Sequence, residues 1–148
     1  IQASIYDITS GTPEFIGISS NDTKISYMTS PGEHMFMVVG ESADFLKANV
    51  IEGKTYYTVV SPRMGFWTAR FSMHPVRNDE SGKFTYDSKD FKEMLTESKF
   101  VKSGAKAEKW AVSKAKNISA KMNKYLPEWK SKAIEKQKLA TIEVIDHQ

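Results

Sequence analysis

The sequence predicts an α+β fold: a small antiparallel β-sandwich or barrel followed by a helical extension, with a last apolar segment that reads as a closing C-terminal strand. Three observations predict it. About seven short β-prone runs, punctuated by Gly, Pro, Asn and Asp, fill the first half of the 148 residues. An apolar stripe of helical period runs through the lysine-rich second half. The period then changes at Ala140 to Ile145, so the chain is expected to leave the sheet as helices and return to it as a strand. The resulting division is 1–75 for the antiparallel β module, 76–104 for a loop and short helix, 105–139 for lysine-rich amphipathic helices with a break near Pro127, and 140–148 for the closing strand and tail.

Taken in order, Gln2 to Ile8 is the first strand, stopped by Ser10 to Pro13. Phe15 to Ile18 and Lys24 to Met28 flank Ser19 to Asp22, whose side chains bond nearby backbone and favour turns, so the two runs read as a hairpin. Pro31 and Gly32 supply the fixed φ and the positive φ of a type II turn, and Glu33 to Val39 resumes as strand. Phe45 to Ile51 and Lys54 to Val60 flank a tight turn at Glu52 and Gly53, and Pro62 is expected to end the second run. From Phe66 to Met73 the pattern alternates: Trp67, Ala69, Phe71 and Met73 share a buried face, Thr68, Arg70 and Ser72 a wet one, until His74 and Pro75 stop it.

Asn78 to Gly82 is a loop, and Ser88 caps a short helix whose Phe91, Met94 and Leu95 fall at i, i+3 and i+4. Ser103 and Gly104 end that unit. Beyond them Ala111, Ala115, Ile118, Met122, Tyr125, Trp129 and Ala133 recur at steps of three and four, one continuous helical face. That face needs an apolar partner, and the protein's own sheet is expected to supply it in preference to a second copy or another protein. Proline disfavours α conformation in the residue before it, so Leu126 is expected to mark a kink or break.

The net charge of +3 is unevenly placed: residues 97–138 hold twelve Lys and four Glu, a net +8, which leaves −5 for the remainder. Such a stretch attracts anionic surfaces. Every basic residue in it is Lys, which lacks the bidentate geometry of Arg, so no specific nucleic acid is expected. The expected partner is another protein or an anionic envelope surface. With no Cys, the chain has no disulfide, thiolate metal site or cysteine nucleophile. Its longest apolar runs, such as Met35 to Val39, fall far short of the roughly 20 residues of a membrane span. The first residue is Ile1 rather than Met, so a removed leader, with a lipid-bearing cysteine upstream, is compatible with the chain.

Motifs that carry chemistry are sparse. The chain has no GxGxxG, no complete GxxxxGK[ST], no HExxH and no GxSxG. A dyad would need His34 or His74 to meet an acidic or hydroxyl partner through folding, and His147, at the terminus, is expected to be disordered. No catalytic residue and no cofactor is assigned, and an enzyme of unrecognised type stays as an alternative. A second alternative is a periplasmic copper-binding protein: His34, Met35 and Met37 lie on one strand, with Met28, Met64 and Trp67 as neighbours, and thioether and imidazole suit Cu(I). Against it, His34 points away from Met35 and Met37, and alternating Met is the ordinary pattern of core filling. In the adjacent aromatic pairs Tyr56–Tyr57 and Phe66–Trp67 one ring of each must leave the core, which makes Tyr56 and Phe66, with Lys114, Lys121 and Lys124, the candidate binding residues.

The run Thr29 to His34, then a strand, then Ala48 to Tyr57 with Val59 and Val60, resembles the PEGA-like and DUF2846-type β-sandwich domains of bacterial envelope lipoproteins. In those domains a Pro-Gly-(Glu or Lys)-His turn starts one strand and a Gly-Lys-Thr-Tyr-Tyr turn a later one. The likeness covers roughly residues 3–73 and rests on turn chemistry. It implies a periplasmic or outer-membrane-associated protein, exported and lipid-anchored, that acts in binding or assembly rather than catalysis. The lysine-rich extension departs from that pattern.

Overall fold

The computed structural model describes residues 2–64 and 69–148. The fold is α+β with a sheet-rich core, and its described strands close no barrel. Five strands, β1 (Gln2–Asp7), β2 (Glu14–Ser20), β4 (Gly32–Val39), β5 (Ala43–Val50) and β10 (Thr141–Ile142), form one sheet in the order β10-β5-β4-β1-β2. A second sheet holds β6 (Thr58–Met64), β7 (Ala69–Arg77) and β8 (Phe84–Thr85), and β3 (Thr23–Lys24) pairs with β9 (Lys99–Phe100). The helices are α1 (Lys89–Glu97), α2 (Ala105–Ser113), α3 (Ala115–Lys130) and α4 (Ile134–Leu139).

Alternation along the strands sorts the apolar side chains into three clusters that define the layers. Ile5, Val38, Leu46 and Ala48 of the five-stranded sheet pack on Phe71 and Met73 of β7, sheet on sheet. The opposite face, with Tyr6, Met37, Val39 and Phe45, packs on Ile118, Met122 and Trp129 of α3. Phe91 of α1 joins Val76, Phe84, Tyr57 and Val59 on the outer face of the three-stranded sheet. The result is helix, sheet, sheet, helix. At Gly40 a side chain has no room: a Cβ there would lie 2.5 Å from the Ala69 carbonyl oxygen and 2.8 Å from the Phe71 ring.

Several expectations are corrected. The hairpin of Phe15–Ile18 with Lys24–Met28 does not form: only Thr23–Lys24 is strand, and it pairs in parallel with β9. The chain from Ile25 leaves the sheet because Tyr27 donates to Asp7 Oδ2 (2.8 Å) and Ser30 O bonds His34 Nε2 (2.6 Å), which pull the segment across the end of β1 and β4. The sheets are mixed rather than antiparallel, since β10 runs parallel to β5 and β8 parallel to β7.

Neither Pro62 nor Pro75 ends its strand. Val76 N donates to Tyr57 O, so amides pointing at the partner strand alternate from that pair, and Thr58–Pro75 and Pro62–Phe71 are the rungs whose amides point away. A missing N–H costs the ladder nothing there. Phe71 and Met73 are buried as expected, Ala69 is exposed, and Trp67 lies outside the described residues.

Pro127 sits inside α3, and the breaks fall at Lys114 and at Ser131–Ala133. The carbonyl that Pro127 leaves unbonded is that of Asn123, and both residues are exposed, so water can satisfy it. Ser88 caps α1 as expected, accepting from Phe91 N. The closing strand is only Thr141–Ile142, and His147 forms a bridge to Tyr56.

Candidate functional site

The apolar stripe of the second half is anchored on the chain's own sheet through Ile118, Met122 and Trp129, with Trp129 edge-on to Phe45 at 6.5 Å between ring centroids. Within the stripe Ala111 is half-buried and Ala115 and Ala133 are exposed. Because residues three and four apart share a helix face, committing that face to the sheet turns the intervening lysines outward. Of the twelve lysines in 97–138, eleven are exposed; Lys121 is half-buried. The described ion pairs are Lys47–Glu33, Arg77–Asp146 and Lys89–Glu93, so among the described residues none of the twelve meets a carboxylate. The outer side of the helical layer is therefore net positive, and among the described residues its lysines make no ion pair.

The three lysines singled out from the sequence share this layer but differ in use. Lys124 is exposed, its ammonium 5.2 Å from the centre of the Tyr125 ring. Lys114 is exposed at the junction of α2 and α3, its backbone N–H shared between Trp110 O and Ala111 O. Lys121 is engaged within the protein, donating to Gly40 O at 2.7 Å. Tyr56 does not join them: its hydroxyl donates to Val144 O (2.8 Å), accepts from Ile51 N (3.2 Å), and its ring meets His147 edge-on. Phe66 lies outside the described residues.

The copper alternative finds its donors dispersed. Met37 is fully buried under α3 with Met35 beside it, Met28 is 93% exposed, and His34 is on the other face of β4. Both ring nitrogens of His34 are engaged: Ser30 O can only accept, so Nε2 carries hydrogen, and Nδ1 faces Thr9 Oγ1 at 3.3 Å. Among the described residues no three His, Asp or Glu side chains gather as metal ligands.

Two polar clusters were not identified from the sequence. In the first, Asp7 is buried among Thr9, Tyr27 and His34. Burial pushes its carboxyl up, but bonds from the Thr9 hydroxyl and amide and from Tyr27, with the nearby His34, outweigh this and hold it below the ordinary value. Tyr27 is pushed up to about 12 by desolvation and by the Asp7 carboxylate it donates to. An acidic residue inside an apolar strand was the available signal. In the second, the buried Arg77 guanidinium donates to Asp146 Oδ2 (2.7 Å), Thr141 O (2.8 Å) and Lys138 O (2.6 Å), clasping the C-terminal segment to β7. No local pattern links residues so far apart.

Folding does bring His74 to a hydroxyl: Ser61 Oγ lies 3.0 Å from its Nε2. Burial, Lys83 and Arg63 lower the pKa of His74, outweighing the Asp44 carboxylate, which raises it. Among the described residues no carboxylate bonds its other nitrogen, the group that orients the base in a triad. Comparison of the chain with protein-family models, curated proteins and solved structures finds no match.

Proposed function

We propose that this chain is a noncatalytic binding module of the bacterial envelope, in which the sheet sandwich is the scaffold and the helical layer lays its lysine face on an anionic surface. The observation that carries this reading is the net positive charge of the helical half: the apolar stripe of α3 is consumed by the protein's own core, and the lysines around it, Lys121 apart, are left exposed and make no ion pair among the described residues. Exposed charges of one sign on a rigid support attract a polyanionic surface, with the attraction screened over about 8 Å at physiological ionic strength. The turn resemblance to envelope lipoprotein domains supports the same compartment, and a lipid anchor upstream would add a second membrane contact to a weak electrostatic one.

The test is co-sedimentation with vesicles of phosphatidylglycerol and phosphatidylcholine, against phosphatidylcholine alone, over a salt series. Binding to the anionic vesicles that falls with salt and weakens in a Lys116→Gln, Lys124→Gln, Lys130→Gln variant is expected. Equal binding to both vesicle types, or none at low salt, would overturn the reading.

A further inference from the structure

The opposite side of the molecule carries a second, different basic surface. Residues directly opposite in an antiparallel pair share a face, so the rungs Val59–His74, Ser61–Ser72 and Arg63–Arg70 all point the same way, while Val60, Met73 and Phe71 pack into the sandwich on the other face. α1 covers only the end of this outer face that holds Tyr57, Val59 and Val76. The remainder presents two hydroxyls beside two arginines, with Arg63 and Arg70 both exposed. Lys83, also exposed, adds its charge at the His74 rung.

Two arginines directly opposite one another are unfavourable in a bare strand pair, their Cα atoms only about 5.5 Å apart on a hydrogen-bonded rung. Neither has an ion pair or a side-chain hydrogen bond among the described residues. The four residues joining the two strands, Gly65, Phe66, Trp67 and Thr68, include no carboxylate to relieve them.

We propose that Arg63, Arg70, Ser61 and Ser72 form a binding site for a phosphomonoester dianion. Each guanidinium can meet two of the three terminal oxygens in a planar fork, the dianion matches two cations, and the serine hydroxyls supply neutral donors to lone pairs the forks leave free. Lys83 adds positive potential at the His74 end, set partly against the Asp44 carboxylate that also acts on His74. With hydrogen on Nε2, His74 donates to Ser61 Oγ and leaves that hydroxyl its own hydrogen for the phosphate. The site differs from the lysine face in residue type, in the order of its donors and in its position on the other sheet, and it does not depend on that face binding anything.

The phosphate can belong to a soluble ligand or to a lipid headgroup, and the experiment separates the two. Isotope-labelled protein carrying the three helical Lys→Gln changes is titrated with glycerol 3-phosphate, with chloride at matched ionic strength as control, while amide shifts are followed by NMR. A parallel arm measures co-sedimentation with phosphatidic acid vesicles. Shifts at Ser61, Arg63, Arg70 and Ser72 that chloride does not produce, and that vanish in Arg63→Gln, Arg70→Gln, identify the soluble source. Vesicle binding alone, lost in the same variant, identifies the lipid source. No response in either arm, or one that survives in the double variant, overturns the site. Because both arginines are exposed, the double variant is expected to melt no lower than the parent; a clear loss of melting temperature would instead make the pair structural and also overturn the proposal.

Discussion

Trp129→Ala tests the contact that turns the lysine face outward. Trp129 is 4% exposed, with Phe45 edge-on and Met122 and Ile118 in the same cluster. Burying a tryptophan removes about 150–250 Å² from water. At about 25 cal/mol per Å² that is roughly 4–6 kcal/mol, an upper bound because the unfolded chain already hides part of the ring. The truncation also leaves a cavity that the sheet beneath cannot collapse into, and the expected loss is about 4 kcal/mol. Urea unfolding followed by circular dichroism measures it, with a fall in melting temperature of roughly 10 °C as a second readout. Val112→Ala, in α2 of the same layer but 78% exposed, is the control and should change stability by less than about 0.5 kcal/mol. A loss below about 1 kcal/mol for Trp129→Ala would mean that the helix does not depend on the sheet, and the argument for an outward lysine face would fail with it.

Asp146→Ala should cost about 3–5 kcal/mol, since it leaves the buried Arg77 guanidinium with two carbonyls and no counter-charge. Adding Arg77→Met to Asp146→Ala should recover part of that loss, and additive effects in the cycle of Arg77→Met, Asp146→Ala and the double variant would refute the coupling. Gly40→Ala should destabilise by about 1–3 kcal/mol, because the new Cβ meets the Ala69 carbonyl and the Phe71 ring where the two sheets touch; an unchanged urea midpoint would show that the sheets can part there without cost. The Tyr27–Asp7 bond gives two pH limbs. The raised Tyr27 pKa means its stabilisation is complete below the ordinary value of 10.0 and fades as pH rises toward about 12. The lowered Asp7 pKa means its stabilisation is complete above the ordinary 3.8 and is lost as pH falls through the lower folded value. Stability of Tyr27→Phe and Asp7→Asn against the parent, measured across pH, should converge with it at the alkaline and acid ends respectively.

Long runs with a clear period were legible. Gln2–Asp7, Glu14–Ser20, Gly32–Val39 and Ala43–Val50 are strands close to their expected bounds, and the Ser88 cap was visible because a hydroxyl before an apolar i, i+3, i+4 pattern has one local use. Strands of two residues were not, apart from the segment around Thr141: β3, β8 and β9 carry no period and exist only because a distant strand offers them a ladder. Prolines misled in three places for one reason. At Pro62, Pro75 and Pro127 the cost depends on whether the missing N–H, or the carbonyl left behind, faces a partner or water, and local sequence does not hold that direction. Of the candidate site residues, the lysines were legible as a charge pattern, but not that Lys121 would be bonded to Gly40 O or Tyr56 to the C-terminal segment.

By itself the sequence determined the α+β class, the placing of positive charge in the helical half, and the apolar stripe that had to find a surface. These follow from propensity, period and composition, which act over a few residues. Tertiary structure decided that the stripe lies on the chain's own sheet and so exposes the lysines, that Arg77 reaches Asp146 from β7, and that Arg63 and Arg70 stand on one rung. Each of these depends on strand register or on contacts between segments distant in sequence. One residue of slip would send every side chain of a strand to the other face, and only packing of the whole chain fixes that register.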